Sequence, residues 1–99
     1  MTNVTTEPAR ILLAVNLDIT AASPLARELL ALRGRDLLID ASRVERVGAQ
    51  CLQVLLSAAA TWNADMVPID LERESDAFRH GIAVLGISKS RLINEELHR

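Results

Sequence analysis

The fold of this chain is decided by residues 36–56, which read DLLIDASRVERVGAQCLQVLL. Residues 36–40 form an apolar run bounded by two aspartates. This run is too short for a helix and is typical of a central strand buried on both faces. A short crossing segment follows, and Gly48 then opens a long aliphatic stretch that predicts a helix reaching about Ala64. A buried strand followed by a buried helix is a building unit of an α/β fold.

The residues upstream predict a second unit of the same kind. Residues 11–15 are a short apolar run that predicts a strand. The leucine spacing after it predicts a helix that ends at Gly34. Thr20 or Ser23 can cap this helix, and Pro24 then falls in its first turn, where a proline is well tolerated.

The residues downstream continue the alternation. Residues 66–71 predict a strand, and Pro68 favours an edge or strand-end position because it lacks a backbone donor. Ser75 can cap a third helix that Gly86 ends, and residues 91–97 predict a final helical turn. We therefore expect an α/β fold with a small mixed or mainly parallel sheet of about four strands and helices packed against it.

Length and composition describe one compact soluble domain. The chain has 99 residues, of which 49% are apolar. A chain of this size sustains one two-layer core and leaves no room for a second domain. We expect residues 1–99 to form a single domain, with residues 1–9 as a flexible lead-in. A deep substrate cavity would consume much of so small a core, so we expect a protein that is not an enzyme.

Charge and aromatic content argue against nucleic acid as a partner. The formal net charge is −2, and Trp62 and Phe78 are the only aromatic residues. A weakly acidic chain does not attract a phosphate backbone, and two aromatic side chains cannot build a stacking platform for bases. We therefore expect no binding of nucleic acid.

Cysteine and histidine are too few for a disulfide framework or a zinc site. Cys51 is the single cysteine, and His80 and His98 are the only histidines. The four glycines are scattered and form no phosphate-binding loop, so we expect neither a metal nor a cofactor. A lone cysteine fits a reducing compartment. We find no secretory signal and no membrane-spanning segment, so we expect a cytoplasmic protein without membrane insertion.

Two residues could still carry chemistry. Cys51 lies near the start of the long helix, where a thiol can be activated, but a small cysteine in an aliphatic helix is more often part of the core. His80 has no motif around it and is interpreted as a solvated helix residue. A small hydrolase or redox protein that uses either residue is an alternative that no spacing supports.

Residues 37–56 resemble the central segment of the STAS domain. That family has a buried strand ending in Asp, then a small residue, Ser and, two further on, Val. The motif continues with Asp, then Ser or Thr, then a small residue, Gly and Leu, and an aliphatic helix follows. Residues 17–20 and 85–87 are similar to the turn before the family's first helix and to the segment after its third. The matching positions of the central segment are Asp40, Ser42, Val44 and Leu52.

The resemblance implies a binding module rather than an enzyme. In STAS domains of anti-sigma factor antagonists, a GHKL-type kinase phosphorylates the Ser or Thr at the start of the second helix. Here Gly48 stands where the family has Asp, Ala49 where it has the phosphoacceptor, and Cys51 where it has Gly. Because alanine has no hydroxyl group, the resemblance implies that this phosphorylation switch is missing.

The resemblance also implies a docking surface at the start of the second helix. A chemotaxis-type histidine kinase or a GHKL-type kinase is the partner that it suggests first. The alternative is a structural subunit like the small STAS component of phospholipid-transport ATPases, although that group normally keeps Thr where Ala49 stands. The candidate partner-binding residues are Asp18, Arg43, Arg46, Gly48, Ala49, Gln50 and Gln53.

The same residues also have simpler interpretations. Arg43 and Arg46 could contact an acidic partner, but Glu45 and other acidic residues interleave with the arginines of this region, as on an ordinary solvated surface. Gly48 and Ala49 could form no more than a tight start of the helix. The sequence alone leaves these alternatives open.

Overall fold

The computed structural model describes residues 7–94. The strands are β1 Ala9–Leu12, β2 Asn16–Leu17, β3 Leu37–Ala41, β4 Arg46–Val47 and β5 Ile69–Glu74. The helices are α1 Ile19–Ala31, α2 Ala49–Ala64 and α3 Asp76–Val84, followed by a 3₁₀ turn, Lys89–Leu92. The α/β prediction is confirmed. Of the expected lead-in, residues 1–9, the structure describes only residues 7–9, and β1 begins at Ala9.

Every strand pair described is parallel. The main sheet has the order β1-β3-β5, and β2 pairs separately with β4. The buried run of residues 36–40 becomes the central strand β3, as predicted. In place of the single sheet of about four strands that we expect, the structure has a main sheet of three strands and a separate pair of short strands. Pro68 lies directly before β5, an edge strand of the main sheet, so its missing donor costs the ladder nothing.

Helices α1 and α2 lie side by side and run in the same direction. At their C-terminal ends, the guanidinium of Arg33 donates two hydrogen bonds to the carboxylate of Asp65, at 2.8 and 3.1 Å. At their N-terminal ends, Cys51 Sγ donates to the carbonyl of Asp18 at 3.2 Å. The core between the helices and the sheet includes Leu25, Leu29, Leu37, Ile39, Leu55, Trp62 and Ile69.

The cap of α1 differs from the prediction. Asp18 is the N-cap, because its Oδ1 accepts hydrogen bonds from the backbone N–H of Thr20 at 3.0 Å and of Ala21 at 3.2 Å. The hydroxyl of Thr20 donates to the same oxygen at 2.6 Å, so it is not the cap. The prediction of Thr20 or Ser23 is therefore wrong, and Pro24 lies inside the helix rather than in its first turn.

The C-terminal segment also differs from the prediction. Ser75 caps α3 as expected, by accepting from the N–H of Phe78 at 3.0 Å. Of the helical turn predicted at residues 91–97, Arg91 and Leu92 lie in the 3₁₀ turn, which begins earlier, and the backbone is already extended at Ile93. Asn94 holds this segment along β5, since its Oδ1 accepts from the N–H of Ile69 at 2.7 Å. Residues 95–97 lie outside the described residues.

Candidate functional site

Two junctions between a strand and a helix meet at one edge of the molecule. Leu17 ends β2 and pairs with Val47, which ends β4. The N–H of Gly48 donates to the carbonyl of Leu17 at 2.8 Å. Because β2 and β4 are parallel, the helices that follow them begin next to each other. The structure therefore brings Asp18, Gly48 and Ala49 together.

Gly48 allows the two junctions to approach this closely. A Cβ atom at this position would lie 3.0 Å from the carbonyl oxygen of Leu17 and 3.9 Å from the Cα of Asp18. The first distance is shorter than ordinary van der Waals contact, so a side chain here would push β2 and β4 apart. Gly81 makes a similar approach possible for α3, since a Cβ there would lie 3.0 Å from Val47 Cβ.

The carboxylate of Asp18 has a structural role. It caps α1, and the hydrogen bond from the Thr20 side chain is the main cause that lowers the pKa of Asp18. Hydrogen bonds from the backbone N–H groups of Thr20 and Ala21 add to this effect. Asp18 therefore stays ionised at neutral pH and fixes where α1 begins. Its side chain is exposed, so the same negative charge also faces solvent beside Gly48.

The loop between β3 and β4 is anchored at its centre and at its end. Val44 is 1% exposed, and its carbonyl accepts a hydrogen bond from the hydroxyl of Ser75 at 2.6 Å. The N–H of Glu45 donates to the carbonyl of Val15 at 2.7 Å, and the N–H of Arg46 donates to the same oxygen at 3.2 Å. These contacts hold the loop backbone in one position.

Two arginines at this anchored segment face solvent, Arg43 in the loop and Arg46 at the first position of β4. Arg43 and Arg46 are exposed, and neither forms an ion pair with another residue of the range 7–94. Glu45 is exposed between them, so the loop has a mixed charge with an excess of positive groups. Both guanidinium groups keep their donors free for an external acceptor.

The first turn of α2 completes the surface. Its cap residue, Gly48, provides no side-chain hydrogen bond, and the first turn has no acidic residue. Ala49 and Gln50 are exposed, and Gln53 lies one turn from Ala49 on the same side of the helix. No side chain of the first turn of α2 itself neutralises the partial positive charge of the helix N-terminus, and the nearby negative charge is that of Asp18.

The structure decides whether Cys51 and His80 could carry chemistry. Cys51 is 0% exposed, and burial is the main cause that raises the pKa of its thiol, with a smaller contribution from the charge of Asp18. It is a core residue, as the sequence favours, and not an activated thiol. His80 is exposed on α3, as predicted, whereas His98 lies outside the described residues.

Residues 7–94 lack two further features. Within this range no cluster of three or more His, Cys, Asp or Glu side chains could hold a metal ion. None of the helices in the same range has the length and apolarity needed to cross a membrane.

Sequence patterns do not predict two hydrogen bonds that position this surface. Ser75 was identified as the cap of α3, but its hydroxyl also donates to Val44 and so ties α3 to the β3–β4 loop. The carbonyl of Val15 anchors the same loop through Glu45. Both contacts join residues about 30 positions apart in sequence. Local patterns carry no signal for them.

Comparison with known proteins agrees with this architecture. A family model described as "Mlab, STAS domain" matches residues 1–94. The chain belongs to the STAS domain family. Comparisons with curated proteins and with solved structures give no match. STAS domains are in general non-enzymatic modules that mediate interactions between proteins, which agrees with a surface built from backbone contacts rather than from reactive side chains.

The capping role of Asp18 leads to a prediction about acid stability. Its folded-state pKa lies below the unfolded value of about 4, so the unfolded chain binds more protons as the pH falls. The stabilisation is therefore complete above about pH 4 and is lost as the pH falls through the folded-state pKa. Asp18→Asn should keep the cap but remove this titration, which should reduce the loss of stability between pH 7 and pH 3.

Urea unfolding at both pH values measures this difference. Asp18→Ala serves as the comparison variant, because it removes the cap as well as the charge and should lower stability already at pH 7. An acid sensitivity of Asp18→Asn equal to that of the wild type would show that Asp18 does not contribute to it.

Proposed function

We propose that this chain is a single-domain, non-enzymatic STAS module of bacterial cytoplasmic signalling, of the chemotaxis or anti-sigma partner-switching type. Its partner is a protein, and the first candidate is a histidine kinase or another GHKL-type kinase. The docking surface lies where α2 begins. The proposed partner-binding residues are Asp18, Arg43, Arg46, Gly48, Ala49, Gln50 and Gln53.

The observation that carries this proposal is the exposed first turn of α2 beside the anchored loop with its two unpaired arginines. A surface whose backbone is already fixed loses little conformational entropy when a partner binds. Arg43 and Arg46 favour a partner with acidic groups, and complementary charges of this kind increase the association rate and select the partner. Gln50 adds an amide that can both donate and accept hydrogen bonds.

The proposal includes the absence of a phosphorylation switch at Ala49. This residue is exposed at the position where the family resemblance puts the phosphoacceptor, and its side chain is a methyl group. A phosphoryl group would add about −1.5 to −2 charges at the helix N-terminus. Without a hydroxyl, the partner meets the same uncharged turn under all conditions.

This constant surface also supports a second candidate function. A structural STAS subunit of a phospholipid-transport ATPase complex would remain bound to its ATPase subunit and would need no switch. The docking surface would be the same start of α2. The two candidates therefore differ in the partner and not in the residues that contact it.

Binding measurements with matched variants test the docking surface. Gln50→Arg puts a long cation on the first turn of α2 and should weaken binding to a purified GHKL-type histidine kinase from the same source by about tenfold or more, or about 1.4 kcal/mol. Asn63→Arg makes a comparable change on an exposed position in the last turn of the same helix and should leave the Kd within about twofold.

Isothermal titration calorimetry gives these values with purified proteins. The ATPase subunit of a phospholipid transporter, taken from the same source and titrated in parallel, separates the two candidate functions. Equal weakening by both variants, or by neither, would contradict the assignment of the surface.

The missing switch has its own test. Incubation with the same kinase and ATP should leave residues 48–51 of the wild type unmodified, whereas Ala49→Ser restores a hydroxyl and should accept phosphate there. Mass spectrometry of the digested protein locates the modified residue. Stoichiometric phosphate on Ser42 or Ser57 of the wild type would mean that a switch exists elsewhere.

A further inference from the structure

One buried hydrophilic residue lies at the outer edge of the main sheet. Among residues 7–94, Asn94 is the only residue of polar or charged type that the fold buries, and it is 7% exposed. Its Oδ1 accepts a hydrogen bond from the N–H of Ile69 at 2.7 Å, and its Nδ2 donates to the carbonyl of Val67 at 2.8 Å. Its backbone N–H donates to the carbonyl of Ile69 at 3.2 Å. One residue thus satisfies backbone groups at and just before the start of β5.

These backbone groups face away from the sheet. The N–H of Leu37 in β3 donates to the carbonyl of Pro68 at 3.0 Å, so residues 68 and 70 face β3. The backbone groups of residues 67, 69 and 71 therefore point outward, because the direction alternates along a strand. The outward N–H of Leu71 is also occupied, since Asp70 Oδ1 accepts from it at 2.8 Å. A further strand could pair here only by displacing these contacts.

A short strap, residues 88–94, brings Asn94 to this edge. It follows Gly86, whose positive φ of 80° turns the chain at the end of α3. Near its start, the ammonium group of Lys89 lies 2.8 Å from the carboxylate of Glu74 in β5. Leu92 is buried, but four of the seven strap residues are exposed. A segment with so few buried contacts can open locally while the rest of the domain stays folded.

Opening of the strap would leave a strand edge that fits a second copy of itself. Exposed edges pair with strands of other chains because their backbone groups need partners. In an antiparallel pair centred on Ile69, each Ile69 N–H would donate to the Ile69 carbonyl of the other copy. Each Leu71 N–H would donate to the other copy's Val67 carbonyl. These are the same backbone groups that Asn94 and Asp70 occupy in the closed structure.

The side chains of this register are compatible. Val67 would lie opposite Leu71 of the other copy, and Pro68 would lie opposite Asp70. No like charges would face each other, which removes the main electrostatic penalty for pairing two identical strands. The register of β5 against β3 shifts after Leu71, which limits regular pairing to residues 67–71. So short a pairing gives a weak dimer whose population depends on protein concentration.

We propose that the strap is an autoinhibitory contact that closes the outer edge of β5, that Asn94 is its latch, and that release of the latch lets two copies pair through β5. The closed strap prevents this pairing in the wild type. The proposal rests on the hydrogen bonds at this edge, and it stands whether or not the start of α2 binds a kinase.

Hydrogen exchange and sedimentation velocity of the full chain test this proposal together. Asn94→Ala removes both side-chain hydrogen bonds, so at about 20 μM the Ile69 amide should exchange at least about tenfold faster than in the wild type. At about 1 mM this variant should form dimers. The Ile69 amide should then regain protection, because the second copy accepts its hydrogen bond. Exchange at Ile69 of the wild type should be slow at both concentrations.

Lys89→Ala is a second variant that acts on the strap without touching the core. Its position is exposed, so the fold should be retained. Loss of the ion pair with Glu74 loosens the other end of the strap and should speed exchange at Ile69 by a smaller factor than Asn94→Ala does. Unchanged exchange at Ile69 in both variants would overturn the role of the strap.

Two control variants separate opening of the edge from general destabilisation. Ser90 is an exposed strap residue whose hydroxyl pairs with that of Ser88, so Ser90→Ala should behave as the wild type does. Ile82→Ala removes a buried side chain from α3, away from the β5 edge, and should not form dimers. Asn94→Ala that associates no more than the wild type at about 1 mM would overturn the proposal. Equal association of Ile82→Ala would also overturn it, because general destabilisation would then explain the result.

Discussion

The close approach of Gly48 to Leu17 is the contact on which the rest of the structure depends. Its N–H···O hydrogen bond of 2.8 Å, accepted by the last residue of β2, extends the short pairing of β2 with β4 one residue beyond the end of β4. Because no Cβ atom intervenes, the N-terminus of α2 lies directly beside that of α1. The buried thiol of Cys51 then reaches the carbonyl of Asp18, and the two helices continue side by side to their C-terminal ends.

This constraint explains why function is expected at the outside of the molecule. The core is filled by apolar side chains, and the thiol nearest to the helix N-terminus is enclosed and protonated. What remains available is a rigid edge with two free guanidinium groups and an uncharged helical turn. In the proposed function, this edge carries no phosphoacceptor at Ala49, and the partner would set the timing of recognition.

How well the sequence predicts a structural feature depends on how far apart in the chain the interacting residues lie. The central strand and α2 follow from hydrophobic periodicity, a local property, and their positions were correct to within one residue. The cap of α1 was misassigned because Asp18 and Thr20 are both good capping residues, and only the geometry shows which oxygen accepts. The extended end of the described chain depends on Asn94, whose partner Ile69 is 25 positions away.

The most direct test of the account is a map of the partner's footprint on the folded chain. Amide chemical shifts of the ¹⁵N-labelled protein, recorded with and without the proposed kinase partner, report which residues that partner contacts. We predict that the largest changes cluster at Asp18 and at residues 43–53, with α3 and the edge strands β1 and β5 largely unaffected. Changes confined to α3 or to these strands, with the start of α2 unchanged, would contradict the account.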